Sequence, residues 1–271
     1  MQRAYAAQRG SQSAARRELE TLAAAINYHI RDMVGGVNML FRPVLPEAAP
    51  ARERWLTRSE AARLILAAWR LREVRNGKPT GRYLARHIAR FILAGLYTGT
   101  RAGAICGAAL MPTIGRGYVD LEAGHFVRLA YGKRQTNKRQ PPIDLPPRLL
   151  THMRRWHRLG ISTRAVVEWQ GQPVQSVKKV WPKVVKAAEL ATEIKERKVI
   201  PHTLRHTAIS WYLRSGTPID QVSDFCGVSV QIIKKHYKHH IPGGFDGVMQ
   251  SSQRLGRGRA TETQQKPAIR P

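Results

Sequence analysis

Pro201-His202-Thr203-Leu204-Arg205-His206-Thr207 is the stretch on which the reading turns. His202 and Arg205 stand three apart at the start of a helix expected over 203–215, so they share one face of it. A helix N-terminus flanked by an imidazole and a guanidinium suits a phosphate, because unpaired backbone N–H groups and cationic side chains point the same way. Alone, a His-x-x-Arg pair is cheap in a basic protein, and a solvated surface helix is the bland alternative. The surroundings have to decide.

Upstream lies Tyr97-Thr98-Gly99-Thr100-Arg101-Ala102-Gly103, set between two apolar helices expected over 83–98 and 101–110. That setting partly buries Arg101, and a buried guanidinium needs a partner. No Asp or Glu occurs between Glu73 and Asp120, so a bound anion competes with a carboxylate for the role. Downstream, Tyr237 sits in Lys234-Lys235-His236-Tyr237-Lys238-His239-His240. Among so many bases it reads as a nucleic-acid contact, a surface aromatic, or a nucleophile whose phenol pKa the positive field lowers. A core anchor is the least expected role.

The whole chain agrees with an anionic partner. Its 271 residues hold 46 Lys and Arg against 18 Asp and Glu, a net charge of +28. Residues 58–150 carry +12 of this and residues 151–240 carry +10, so the excess belongs to the folded part and not to a basic tail. A folded surface so charged is expected to track phosphates. Cys106 and Cys226 fall in no Cys-x-x-Cys or Cys/His pattern, which argues against a disulfide scaffold or a structural zinc site. The longest apolar run, around Phe91–Tyr97, is far short of a membrane span, and the first twenty residues lack the apolar stretch of a signal peptide. The expectation is a cytoplasmic, nucleoid-associated protein with no membrane partner.

Three segments follow from the pattern. Residues 1–54 hold a helix over 13–28 and then a linker marked by Pro43, Pro46 and Pro50. Residues 55–240 open on Thr57 and Glu60, at capping-box spacing before the apolar positions Ala61, Leu64, Ile65 and Ala68. Short β-type runs at 125–131 and 143–145 flank the basic segment Gly132–Arg139, which gives a hairpin or small sheet. Helices return at 147–159, 175–190, 203–215, 218–226 and 230–239. Residues 241–271 are polar and Gly-rich and read as a flexible tail. The fold class is therefore mainly α with a small antiparallel sheet or hairpin (α+β).

Arg101 in a Thr-Gly-x-Arg context, His202-x-x-Arg205, and Tyr237 lying 32 residues after Arg205 together resemble the tyrosine recombinase, or phage integrase, family. The resemblance covers about residues 55–240. Residues 13–55 resemble only the last part of that family's N-terminal helical core-binding domain. The resemblance implies that a tyrosine hydroxyl attacks a DNA phosphodiester, leaving a 3′-phosphotyrosyl link and a free 5′-hydroxyl, after which the strand is rejoined to a new partner. It implies no metal and no nucleotide cofactor. Partners would be double-stranded DNA and three further copies of the chain in a tetrameric synapse, in the service of a mobile genetic element.

Residue by residue, the resemblance makes Arg101 and Arg205 the phosphate clamp and Tyr237 the nucleophile. His202 hydrogen-bonds the phosphate or takes the tyrosine proton. A hairpin lysine protonates the leaving oxygen, with Lys138 preferred over Lys133. Arg134, Arg139, Lys234, Lys235 and Lys238 are expected DNA contacts. His206 is expected to pack or cap within its helix, and Tyr212 to lie in the core.

Two departures matter. Nine residues before the tyrosine the family has a second His or a Trp, where this chain has Val228, which donates no hydrogen bond. Losing one such donor costs about 10²-fold in rate; His239 and His240 are the residues that would compensate. The region ahead of Thr57 is also short for the family's clamp. The alternative reading is therefore a catalytically impaired or truncated DNA-binding relative.

Overall fold

The structure, a computed structural model, describes residues 8, 11–34, 40–48, 53–136 and 138–237, without the side chains of residues 33 and 34. Two compact units divide the chain, 1–52 and 53–271. The tail expected over 241–271 and the residues Lys238, His239 and His240 lie outside the described residues.

In the first unit, helix α1 (Gln12–His29) starts where the Ser11 hydroxyl accepts a hydrogen bond from the Ala14 N–H, and it runs into a π-turn over Ile30–Val34. The extended segment that follows is tied back to it. Arg16 Nη1 donates to the Pro46 carbonyl at 2.7 Å, and the Asn27 amide exchanges two bonds with the Phe41 backbone, at 3.1 and 2.8 Å.

The second unit is helical with three small antiparallel sheets. Helix α2 (Arg58–Arg70) opens with the expected capping box, both reciprocal Thr57–Glu60 bonds being present. A hairpin, β1 (Arg72–Arg75) and β2 (Lys78–Tyr83), leads into helix α3 (Arg86–Thr98) and the short helix α4 (Ala102–Gly107). Strands β3 (Tyr118–Asp120), β4 (His125–Val127) and β5 (Ile143–Asp144) form a sheet in that order, with Phe126 opposite both Val119 and Ile143. Helix α5 (Pro147–Arg158) follows, then the two-residue strands β6 (Glu168–Trp169) and β7 (Gln172–Pro173), and helix α6 (Trp181–Ala187). A 3₁₀ turn (Lys195–Arg197) precedes the last three helices, α7 (Thr203–Arg214), α8 (Ile219–Cys226) and α9 (Val230–Tyr237).

Most expected helices are present, with shorter ends. The helix expected over 175–190 is limited to α6. The strand expected over 125–131 stops at Val127, and the basic segment is part of a long crossing from β4 to β5. Neither the β1–β2 and β6–β7 hairpins nor β3 was anticipated.

Helices α3 and α7 position the site. α3 is apolar nearly all round and is buried along most of its length, with Ile88, Phe91 and Ile92 fully enclosed. It packs against α7 through Gly95, whose missing Cβ lets Leu204 approach within van der Waals range. The chain ahead of α2 is tied to α7 as well: the Leu56 N–H donates to Thr207 Oγ1 at 2.9 Å, and Trp211 Nε1 donates to the Leu56 carbonyl at 3.0 Å. A helix held by these contacts carries its side chains with little freedom, which is what a phosphate clamp requires.

Candidate active site

Two helix ends converge on one guanidinium. α3 ends at Gly99 with φ +60, and α8 ends at Gly227 with φ +63, both in the left-handed conformation that spares glycine a Cβ clash. Each turn aims a backbone carbonyl at Arg205, which is only 5% exposed. Arg205 Nη1 donates to the Gly99 carbonyl at 2.8 Å and to the Cys226 carbonyl at 2.6 Å, and Nη2 donates to the Gly227 carbonyl at 3.0 Å. Among the described residues these bonds take three of its five N–H groups. The Nε–H and one Nη2–H remain, the edge that grips two oxygens side by side. Burial, then the neighbouring Arg101, push Arg205 down to about 10, still protonated at neutral pH.

Arg101 lies at the start of α4, half-buried as expected. Its Nη1 donates to the Arg139 carbonyl at 2.8 Å, and burial lowers its pKa. A third guanidinium, Arg128, was not anticipated. It is 4% exposed and sits just past β4. Its Nε donates to the Pro141 carbonyl at 2.7 Å, Nη2 to the Phe225 carbonyl at 2.7 Å, and Nη1 to Thr100 Oγ1 at 3.3 Å. Burial, with Arg205 and Arg101 nearby, brings it down to about 10. Among the described residues these three arginines donate to carbonyls and a hydroxyl, so the cluster keeps its positive charge. The sequence signal for Arg128 was present but weak: one charge in an alternating apolar run.

The segment 128–142, which carries the lysines, is clasped onto α8. Besides the Arg101 and Arg128 bonds, Arg139 pairs with Asp224, Nη2 to Oδ1 at 3.1 Å. Arg139, expected as a DNA contact, thus has a carboxylate partner. Lys133, Arg134 and Lys138 are all exposed. Lys133 lines a cleft of about 540 Å³ with Tyr118, Tyr131, Gln135, Arg139 and Pro141, whereas Lys138 does not line it.

At the other end of the site, His202 is exposed at the N-terminus of α7, and its ring meets that of His206 edge to face with centroids 4.9 Å apart. The Tyr237 hydroxyl is 2.6 Å from His206 Nδ1, and the two rings stack at 5.6 Å. His206 therefore reaches beyond its own helix, contrary to the expectation that it packs or caps there. Tyr237 is 6% exposed and belongs to a small core of Ile209, Leu213, Val222, Cys226 and Ile233, with Val228 packed against it. Burial pushes its phenol up, against a smaller lowering by Arg205. This corrects the expected lowering: Lys234 and Lys235 are exposed to solvent, whereas Tyr237 is enclosed. Burial also holds His206 neutral, with a pKa of about 4, helped by its neighbours His202, Arg205 and His236. Tyr212 donates to the Tyr97 carbonyl and is pushed up to about 12 by burial, so it is a structural phenol.

No protein-family model matches the sequence, and no curated protein is similar to it in sequence. Solved structures do match in fold. The Tn1549 transposon integrase in complex with a circular intermediate DNA superposes with a TM-score of 0.61 at 15% identity, over 89% of this chain and 79% of that one. A lambda integrase dimer bound to a COC′ core site gives 0.57 at 16% identity, over 98% and 80%. The XerH site-specific recombinase bound to difH substrate gives 0.52 at 12% identity, over 88% and 63%. The fold is that of the tyrosine recombinases. Within this recombinase fold Arg101 is gathered with His202, Arg205 and Tyr237, which follow it by a hundred residues and more in sequence, around the ends of α3, α7, α8 and α9.

Proposed function

We propose that this chain is a site-specific DNA recombinase or integrase that breaks and rejoins strands through a 3′-phosphotyrosyl intermediate. The observation that carries this reading is the meeting of Arg205, its outward edge unused, with Arg101 and with the Tyr237 hydroxyl in a cluster short of negative charge. A phosphodiester seated there would supply the missing charge. Arg101 and Arg205 would bind its non-bridging oxygens and hold them more tightly as negative charge builds in the pentavalent transition state. His202, exposed at the N-terminus of α7, would add a donor to the same phosphate. Tyr237 attacks phosphorus, the bond to the 5′-oxygen breaks, and a lysine of segment 128–142, Lys138 or Lys133, protonates that oxygen. Double-stranded DNA is the substrate, and the tetrameric synapse is the assembly the reading implies.

A second reading is favoured by Val228 and by the burial of Tyr237: a recombinase-fold protein that binds DNA without cutting it. One experiment separates the two. The full chain is incubated with supercoiled plasmid and quenched with detergent, and protein-linked DNA and relaxed topoisomers are measured beside Tyr237→Phe. The recombinase reading expects an adduct from the parent alone, with equal plasmid binding by both proteins. Binding with no adduct from either supports the second reading.

A further inference from the structure

We propose that His206, through Nδ1, takes the Tyr237 proton as the phenol oxygen attacks phosphorus. The inference deepens the recombinase reading above and rests on it. Its basis is geometric. Nδ1 lies 2.6 Å from the hydroxyl, within the range for transfer, and the stacked rings hold both groups in that register. His206 rides on the same helix as Arg205, one residue on, so the acceptor and the phosphate clamp move as one body.

A base is needed here because Tyr237 is enclosed. Its phenol stays protonated across the physiological range, so the hydroxyl cannot wait as phenolate. The groups facing the imidazole are His202 and Arg205 from its own helix and His236 and Tyr237 from α9, while Cys226 of α8 bears on Tyr237 and Arg205. Burial first, and then the neighbouring His202, Arg205 and His236, keep His206 neutral in the resting protein, which is the form that accepts a proton. A bound phosphodiester brings negative charge to this cluster and raises the basicity of His206 when transfer occurs.

The Oη–H bond breaks and the proton passes to Nδ1, giving an imidazolium with hydrogen on both nitrogens. The oxygen pair forms the Oη–P bond, and the P–O5′ bond breaks with its pair on O5′, which takes a proton from the lysine of segment 128–142. In the reverse transesterification the imidazolium returns its proton to Oη. His206 is itself half-buried, with the exposed His202 edge-on at 4.9 Å.

The test uses the full chain, as parent, His206→Asn, His206→Phe and Tyr237→Phe. Asn keeps a hydrogen-bond acceptor near the Nδ1 position and takes no proton; Phe keeps the ring volume. Adduct formation and plasmid relaxation are followed from pH 4 to 9, with plasmid affinity and melting temperature measured alongside. The parent is expected to lose rate on the acid side as His206 protonates. His206→Asn is expected to be slower by about 10²-fold or more and to lack that acid limb, with affinity unchanged. In ¹⁵N-histidine spectra, the His206 Nδ1 resonance is expected to be that of an unprotonated acceptor and to move in Tyr237→Phe.

A parent that forms adducts beside a His206→Asn protein of similar rate and pH profile overturns this proposal alone. So does a Nδ1 resonance that ignores Tyr237→Phe. A parent with no adduct at all overturns the recombinase reading, and this proposal with it.

Discussion

Replacing Gly227 with alanine tests whether the end of α8 is what holds the lysine segment in place. A Cβ at Gly227 would lie 2.6 Å from the Arg139 carbonyl oxygen and 2.7 Å from Pro141 Cδ, closer than real Cβ atoms come. The backbone there has φ +63, which costs an L-residue about 1–2 kcal/mol. Forcing a methyl into a packed site adds about 1–3 kcal/mol. The sum, about 2–5 kcal/mol, lowers the melting temperature by about 5–15 °C for a unit of this size. Because the atom displaced is the carbonyl that receives Arg101 Nη1 at 2.8 Å, adduct formation falls as well. Two controls isolate the terms. Gly77 has φ +73 with nothing within 4 Å of its Cβ position, so Gly77→Ala bears the backbone cost alone. Gly103, in α4, meets nothing within 4 Å and has no unusual φ, so Gly103→Ala leaves stability unchanged or raises it by about 0.5–1 kcal/mol. Circular-dichroism melts of the three variants give the ranking. A Gly227→Ala melt within about 2 °C of Gly77→Ala would refute the claim that contact with segment 139–141 dominates.

Arg128→Met leaves the Pro141 and Phe225 carbonyls without their donor, and urea unfolding should show a loss of about 2–4 kcal/mol, with Arg128→Lys no better because one ammonium cannot span three directions. Arg101→Ala should slow adduct formation by about 10²–10³-fold and reduce the salt slope of plasmid binding by about 1, as read from affinities across a salt series. His87 and His206 are both held neutral to about pH 4, against 6.5 in the unfolded chain. The unfolded chain therefore takes up protons first, so stability is complete above pH 6.5 and falls towards pH 4, by up to about 3 kcal/mol for each group; urea midpoints measured from pH 7 to 4.5 check this, and His87→Phe should flatten the slope. Glu168→Gln should cost about 1–3 kcal/mol, since Oε1 accepts the backbone N–H groups of Thr163, Arg164 and Ala165 in a buried turn; chemical denaturation measures it.

What was legible in the sequence was whatever depends on neighbours along the chain. The Thr57–Glu60 capping box was read from spacing, as were the helices whose apolar residues recur at three and four, and both ends of the box close as expected. The β1–β2 hairpin was missed, although Asn76-Gly77 between β-type runs is a strong two-residue hairpin signal. Its arginines and lysine hid the alternation, because long charged side chains cover a sheet face without looking apolar. Arg139 was read as a surface cation because Asp224 is 85 positions away, and no local pattern joins them.

Tyr237 shows the same limit most sharply. Its pKa was inferred from the bases beside it in sequence, but adjacency on a helix is not proximity: residues one and two apart leave the axis in different directions. Lys235, two residues back, is exposed, as is Lys234, three back, while Tyr237 turns inward onto Ile209, Leu213 and Ile233, where loss of water outweighs the field of Arg205. The sign of the shift therefore follows from burial, and burial follows from the three- and four-residue spacing of Val230, Ile233 and Tyr237 along α9, which puts them on one apolar stripe. An enclosed phenol with a raised pKa reacts only through a partner that removes its proton. The imidazole at 2.6 Å is the group so placed: burial holds it neutral, and the charge of a bound phosphate would make it basic.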